Sequence, residues 1–137
     1  MDPACGTGGF LTCTIEHLRK QVNNPDDEKI ISDTLYGNEL KQLPHLLATT
    51  NMILHGIEIP KNLKHDNSLS YRVTDFEEKD KMDCFVMNPP FGGTVQDGVL
   101  TNFPKKFQTK ETAYLFLVYV FYKLKHNGRV GMVLPDG

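Results

Sequence analysis

The chain has 137 residues, enough for one domain with a buried core. Its 15 Lys and Arg against 17 Asp and Glu give a formal charge of −2, which excludes the strongly basic class of nucleic-acid-binding domains. The sequence shows no signal-peptide pattern and no apolar run of about 18 residues, so we expect a cytoplasmic protein without a membrane partner. The three cysteines, Cys5, Cys13 and Cys84, lack metal-ligand spacing and predict free thiols and no metal site.

The predicted elements of the first half alternate between helix and strand. Apolar spacing predicts a helix from about Gly9 to Val22, which the polar run Asn23 to Asp27 ends. A short strand follows at Thr34 to Tyr36, and a second helix runs from about Leu40 to His55, starting near Leu43 because of Pro44. Asn62 to His65 forms another short strand. The apolar faces of the two helices are predicted at Phe10, Leu11, Ile15 and Leu18, and at Leu46, Leu47, Met52 and Ile53.

The second half is more apolar. Asp83 to Met87 is predicted as a strand buried on both faces, because its apolar run does not alternate with polar residues. Phe91 to Thr109 is predicted as a loop, and Thr112 to His126 as a deeply buried helix, apolar almost all round. Asn127-Gly128 would cap that helix. A last strand is predicted from Val130 to Leu134.

This order of elements favours an α/β fold with a mainly parallel sheet. In such sheets, ligands bind beyond the carboxyl ends of the strands. Four segments follow a strand or an expected strand: Cys5 to Gly9, Glu39, Asp66-Asn67 and Asn88 to Phe91. We therefore expect them to gather at one edge of the sheet.

Each of these segments has a functional and a structural interpretation. Gly6, Gly8 and Gly9 allow a ligand to approach the backbone closely, although a plain tight turn needs glycines too. Glu39 can accept hydrogen bonds from two ribose hydroxyls, or it can be a solvated residue near a helix start.

The run Asn88-Pro89-Pro90-Phe91 is more specific. Its two prolines fix the backbone and remove two N–H donors. The Asn88 side-chain oxygen and a nearby carbonyl can accept both hydrogens of an exocyclic amine, and Phe91 can stack on a base. The alternative is a rigid turn with a buried Phe.

These motifs carry a family resemblance over essentially the whole chain. The opening segment, Asp2-Pro3-Ala4-Cys5-Gly6-Thr7-Gly8-Gly9-Phe10-Leu11, resembles the cofactor motif of DNA amino-methyltransferases. It most resembles the modification subunit of type I restriction–modification enzymes. The later motifs follow in that family's order: Tyr36 to Leu40, Asp66 to Leu69, Asn88 to Gly92 and Gly128 to Gly137.

The resemblance implies a Rossmann-like S-adenosylmethionine-dependent methyltransferase fold that transfers a methyl group to N6 of a flipped DNA adenine. It implies that Asp2 to Phe10 hold the methionine part of the cofactor and that Glu39 holds the ribose. Asp66 or Asn67 would contact the cofactor adenine. Asn88 and the Pro89 carbonyl would hold the target amine in the rigid loop completed by Pro90, with Phe91 stacked on the base.

The resemblance also implies partners. A separate specificity subunit would read the DNA sequence, and a restriction subunit would cleave it. Local phosphate contacts by Lys105, Lys106 and Lys110 are one possibility, and a solvated loop is the other.

Relative to that family, residues 1–137 are expected to be a partial catalytic domain truncated at both ends, from the cofactor loop to the strand ending at Leu134. We expect such a fragment to be inactive alone, to bind cofactor weakly, and to have displaced first residues or self-associate through an exposed sheet edge. A protein-glutamine or RNA methyltransferase with a similar loop is an alternative, and a dinucleotide dehydrogenase a more distant one.

Overall fold

The computed structural model describes residues 1–92, 95 and 98–134, apart from the side chain of Pro25. It has helices and parallel strands, as expected for an α/β protein. The chain divides into two compact units, Met1–Asp66 and Asn67–Gly137.

The first unit contains three helices and two short strands. In chain order these are α1 Gly9–Arg19, α2 Pro25–Thr34, β1 Gly37–Glu39, α3 Gln42–Leu54 and β2 Leu63–His65. β1 pairs in parallel with β2, and Asp2 forms a parallel bridge to Gly37 on β1. The Asp2 N–H donates to the Tyr36 carbonyl, and the Asp2 backbone carbonyl accepts the Asn38 N–H. Asp2 therefore pairs with β1 as a strand residue would and is not displaced from it.

The structure contains a helix, α2, that the sequence pattern does not predict, so the strand that follows begins later than expected. The run read as a turn is a helix start: Pro25 is the first helical residue, and the Asn24 side chain accepts the Asp27 N–H. Thr34 is the last residue of α2, and β1 begins only at Gly37. The prediction of a strand at Thr34 to Tyr36 was wrong, while the strand at 62–65 is confirmed by β2.

The core of the first unit shows which face of each helix is buried. Leu11 and Ile15 of α1 are buried as predicted. On α3 the buried pair is Ala48 and Met52, one helical turn apart. The predicted face of α3 was largely wrong, because its other three members are exposed: Leu46 59%, Leu47 44% and Ile53 49%. Phe10, predicted on the apolar face of α1, is also exposed.

The described residues of the second unit form one α-helix, two strands and five single 3₁₀ turns. The turns are Ser68–Ser70, Val73–Asp75, Glu78–Asp80, Val99–Asn102 and Lys105–Phe107. The other elements are β3 Met82–Met87, α4 Thr112–Lys123 and β4 Leu124–Met132. The segment predicted as an irregular loop therefore contains two of the turns.

β3 and β4 pair in parallel, with Phe85 opposite Val130. Between Met82 and Cys84 the register shifts, and Asn127 takes a positive φ of 62°. The predicted cap at Asn127-Gly128 was wrong, because α4 ends at Lys123 and these residues form an irregularity inside β4. The last strand consequently starts at Leu124 rather than Val130 and ends at Met132.

β3 and α4 of the second unit each have a buried side and an exposed side. Phe85 and Met87 of β3 are buried, whereas Cys84 is exposed, so the predicted burial of this strand on both faces was wrong. α4 buries Leu115, Phe116 and Tyr119 but exposes Phe121. Composition cannot distinguish a helix buried all round from one with an exposed apolar side. Among the described residues, none of the helices has the length and apolar character needed to cross a membrane.

Gly37 provides a test of the packing around β1. A Cβ there would lie 2.7 Å from Leu11 Cδ1 and 2.7 Å from Leu63 Cδ1, closer than side chains pack. We expect Gly37→Ala to lower the free energy of unfolding by about 1–3 kcal/mol through overpacking, measured by urea denaturation. Gly9→Ala is the matched control, because no atom lies within 4 Å of its Cβ position. Equal stability of the two variants would contradict this description of the core.

Candidate functional site

The glycine loop of the first unit is fastened to the end of β1. The Cys5 N–H donates to the Asn38 carbonyl over 3.0 Å, and the Gly8 N–H donates to the Cys5 carbonyl over 2.8 Å, which closes a turn. Gly6 and Gly8 have φ values of 55° and 85°, which other residues rarely adopt. The loop therefore needs glycine at these two positions for its backbone conformation.

One side of the loop packs on α3 and the other is open. A Cβ at Gly8 would lie 3.2 Å from the Ala48 Cβ, and the Thr7 carbonyl accepts a hydrogen bond from the Asn51 side chain. At Gly6 and Gly9, by contrast, a Cβ would meet no atom within 4 Å. The open side exposes backbone that a ligand can approach. Ala48 and Asn51 are not predicted as site residues, since nothing in their local sequence indicates a partner some 40 residues away.

The Glu39 carboxylate joins the loop to the carboxyl end of β1. Its Oε2 accepts the Gly6 N–H over 2.9 Å, and its Oε1 accepts the Lys41 N–H over 2.8 Å. The Asp66 N–H donates to the Glu39 carbonyl over 3.0 Å. The structure thus brings together the loop, Glu39 and Asp66 at one edge, as expected from the parallel strand order.

The two candidates Asp66 and Asn67 differ in their surroundings. The Asn67 side-chain oxygen accepts the Leu69 N–H over 3.0 Å and caps the turn that begins at Ser68. Asp66 belongs to the first unit with the glycine loop, and Asn67 begins the second.

The side chains of Asp2 and Cys5 are both buried. Asp2 is 1% exposed, and its Oδ1 accepts the Ala4 N–H. Burial raises the pKa of Asp2 to about 7, and Glu39 acts in the same direction, while the hydrogen bond from the Ala4 N–H lowers it. Burial, together with Asp2 and Glu39, raises the pKa of the Cys5 thiol to about 12, so Cys5 is a packing residue rather than a nucleophile.

In the second unit, the run from Asn88 to Phe91 directly follows β3. The Met87 carbonyl accepts the Val133 N–H over 3.0 Å, so the strand ends in a ladder bond to the segment after β4. Pro89 is buried, whereas Asn88 is exposed and Phe91 is 48% exposed. The Asn88 side-chain amide makes no hydrogen bond with the described part of the chain. The expected alternative of a turn with a buried Phe is therefore wrong. Pro135, Asp136 and Gly137 lie outside the described residues.

The buried Asp2 carboxyl predicts a pH-dependent stability. In the folded chain Asp2 keeps its carboxyl proton up to about pH 7, whereas in the unfolded chain Asp2 loses the proton near pH 3.8. The free energy of unfolding therefore falls as the pH rises from 3.8 to about 7. The loss is at most about 4 kcal/mol. The unchanged chain should therefore lose stability between pH 5 and pH 8, whereas Asp2→Asn, which cannot ionise, should not lose this contribution. We expect the unfolding free energy of Asp2→Asn, relative to that of the unchanged chain, to be higher at pH 8 than at pH 5, measured by urea denaturation. The exposed carboxylate of Glu58 provides the control, Glu58→Gln. A stability difference that is the same at both pH values would refute a buried, titrating Asp2.

Comparison with known proteins places these features in a family. The sequence model of the N-6 DNA methylase family matches residues 1–137. The chain is 51% identical to the type I restriction enzyme EcoEI methylase subunit of Escherichia coli over 138 aligned positions, covering 100% of this chain and 28% of that protein.

Solved structures agree with this match. A crystal structure of a modification subunit from Vibrio vulnificus, assigned to a type I restriction enzyme, superimposes with a TM-score of 0.83 at 44% identity, over 91% of this chain and 26% of that one. A structure describing complex assembly and conformational transition of a type I restriction–modification system gives 0.87 at 36% identity, over 96% and 26%. The chain thus spans about a quarter of the length of these relatives. The predicted methyltransferase fold and the resemblance to modification subunits are confirmed, and the chain belongs to the N-6 DNA methylase family.

Proposed function

We propose that the protein carrying this chain is the modification subunit of a type I restriction–modification system, a site-specific DNA adenine-N6 methyltransferase that uses S-adenosylmethionine. The observation that carries the proposal is the loop after β3, where a buried Pro89 fixes the backbone and Asn88 and Phe91 remain exposed. The 51% identity to a type I methylase subunit supports DNA as the substrate over the protein-glutamine and RNA substrates of enzymes with similar loops.

The first unit fits S-adenosylmethionine. The open side of the loop at Gly6 and Gly9 has room for a ligand against the backbone. A carboxylate has about four acceptor positions, so Glu39 can accept ribose hydroxyls while keeping its bonds to the Gly6 and Lys41 N–H groups. Bound there, the cofactor supplies an activated methyl group on a sulfonium.

The cofactor-side roles follow from these positions. The backbone from Asp2 to Phe10 would cradle the methionine part, with Asp2 shaping the loop through the Ala4 N–H. Glu39 would orient the ribose. We favour Asp66 over Asn67 as the contact to the cofactor adenine, because the Asp66 N–H is bonded to the carbonyl of Glu39, the proposed ribose ligand, in the unit that holds the glycine loop.

On the substrate side, the loop after β3 would receive the adenine. The amine is inaccessible inside a duplex, so the base must be flipped out at a cost of a few kcal/mol. Phe91 would stack on the flipped base. The Asn88 side-chain oxygen and the Pro89 carbonyl would accept the two amine hydrogens, and Pro90 adds rigidity without adding an N–H.

These two acceptors also explain how the loop could promote transfer. The adenine amine is a weak nucleophile, because its lone pair is delocalised into the ring. Two carbonyl oxygens on its hydrogens favour a pyramidal nitrogen and stabilise the positive charge that develops there. Positioning of the amine supplies much of the remaining acceleration.

The proposed role requires partners. The modest formal charge of −2 fits a subunit whose DNA sequence is read by a separate specificity subunit, with cleavage by a restriction subunit. A cytoplasmic location follows from this role, since the DNA of a bacterial cell lies there.

Asn88→Ala tests the catalytic assignment. In the complete protein with its specificity subunit, we expect the rate of methyl transfer to fall below about a tenth of that of the unchanged protein. A tenfold loss corresponds to an increase of about 1.4 kcal/mol in the activation free energy. Cofactor affinity should remain largely unchanged, since Asn88 would contact only the target amine. The measurements are transfer of labelled methyl to DNA and calorimetric cofactor titration, with the exposed Asn23→Ala as control. Turnover above that limit would remove Asn88 from the mechanism.

Glu39→Ala tests the cofactor assignment. We expect the cofactor dissociation constant, measured by calorimetry, to rise by the equivalent of about 1.5–3 kcal/mol, the scale of a hydrogen bond to a charged group. The exposed Glu58→Ala should bind as the unchanged protein does. An unaltered constant for Glu39→Ala would mean that its carboxylate only ties the loop to Lys41 and Gly6.

A further inference from the structure

The segment from Gly98 to Lys110 concentrates positive charge in an otherwise slightly acidic chain. It contains Lys105, Lys106 and Lys110 and no acidic residue, against a formal charge of −2 for the whole sequence. The neighbouring acids along the chain are Asp97, outside the described residues, and Glu111. All three lysines are exposed. We call this segment, residues 98–110, the lysine loop.

The backbone of the lysine loop is anchored in the second unit. Val99 is 5% exposed and Phe103 3%, so both side chains are fixed in the interior. The Asn102 side chain donates to the Leu69 carbonyl over 3.0 Å, and the Gln108 side chain donates to the Phe103 carbonyl over 3.0 Å. The three ammonium groups are therefore presented from a fixed backbone.

Other lysines of the second unit have partners. Lys79, Lys81 and Lys125 form ion pairs with Glu77, Glu78 and Asp83 at 2.6, 2.9 and 2.8 Å.

In the lysine loop, by contrast, no described acidic residue pairs with any of the three lysines. Lys106 lies 4.7 Å from the Phe107 ring centroid, a contact that leaves its charge unneutralised. Three unpaired charges on one anchored segment would bind a polyanion.

On the basis of the proposed function, we propose that the lysine loop binds the DNA backbone beside the flipped adenine, through phosphate contacts by Lys105, Lys106 and Lys110. Lysine is a compact, non-directional charge, which suits phosphate and carries no base recognition. The loop lies in the same unit as Asn88 to Phe91 and follows it closely in sequence. Its contacts keep the duplex in register while the specificity subunit reads the sequence.

The test is the salt dependence of DNA binding. In the complete protein with its partner subunits, Lys105, Lys106 and Lys110 are changed to Gln singly and together. Fluorescence anisotropy gives the affinity for a duplex with the recognition site and for one without it, at several salt concentrations. We expect the triple variant to bind both duplexes roughly tenfold or more weakly, and its log–log salt slope to fall by about 0.9 per lost contact.

A matched control makes the result specific. Lys20, Lys29 and Lys64 are exposed lysines of the first unit, and their triple Gln variant changes the net charge equally. It should keep the slope of the unchanged protein. An equal effect of both triple variants would overturn the lysine loop as a distinct surface.

The remaining outcomes separate this proposal from the function on which it rests. If the unchanged protein methylates DNA but the single and triple loop variants keep its affinity and slope, only the lysine-loop proposal is wrong. If the loop variants lose binding to a partner subunit while the salt slope of DNA binding stays unchanged, the lysine-loop proposal is also wrong. The lysine loop would then bind an acidic surface of a partner protein instead of DNA. If the unchanged protein binds S-adenosylmethionine but neither binds nor methylates DNA, the proposed function fails and the lysine loop with it.

Discussion

The bond between the Glu39 carboxylate and the Gly6 N–H is the contact on which the first unit's site depends. It joins two segments 33 residues apart and fixes a loop whose glycines would otherwise be free to adopt many conformations. The same carboxylate accepts the Lys41 N–H, and the Glu39 backbone carbonyl accepts the Asp66 N–H. One residue at the end of a three-residue strand thus sets the positions of the loop before it and the segment after β2.

A charge in that position has consequences for the buried groups nearby. Asp2 and Cys5 are buried close to it, and its field adds to the effect of burial on both pKa values. Below about pH 7, the value to which burial and then Glu39 raise the pKa of Asp2, Asp2 is mainly protonated and places no second negative charge beside Glu39. Glu39 itself is only half-buried and binds the backbone N–H groups of Gly6 and Lys41.

The second unit separates anchoring from exposure in the same way. After β3, Pro89 is buried while Asn88 and Phe91 face outward. In the lysine loop, Val99 and Phe103 are buried while the lysines face outward. Both segments alternate buried apolar anchors with exposed polar or aromatic groups, so the backbone that carries the exposed groups is fixed from within the unit. Such preorganisation lowers the entropy lost when a ligand binds.

The sequence by itself determined the α/β class, the glycine loop, the helices α1 and α3, and the strand before Asn88. These depend on local rules: glycine supports positive φ, proline restricts the backbone, and apolar spacing follows the helical period. Only the tertiary structure decided which apolar residues are buried. It placed Ala48 and Met52 rather than Leu46 and Leu47 inside, exposed Phe121, and paired β4 from Leu124. It also assigned Glu39 to Gly6 and Asn67 to its own turn, because side-chain partners depend on contacts between segments that no local pattern specifies.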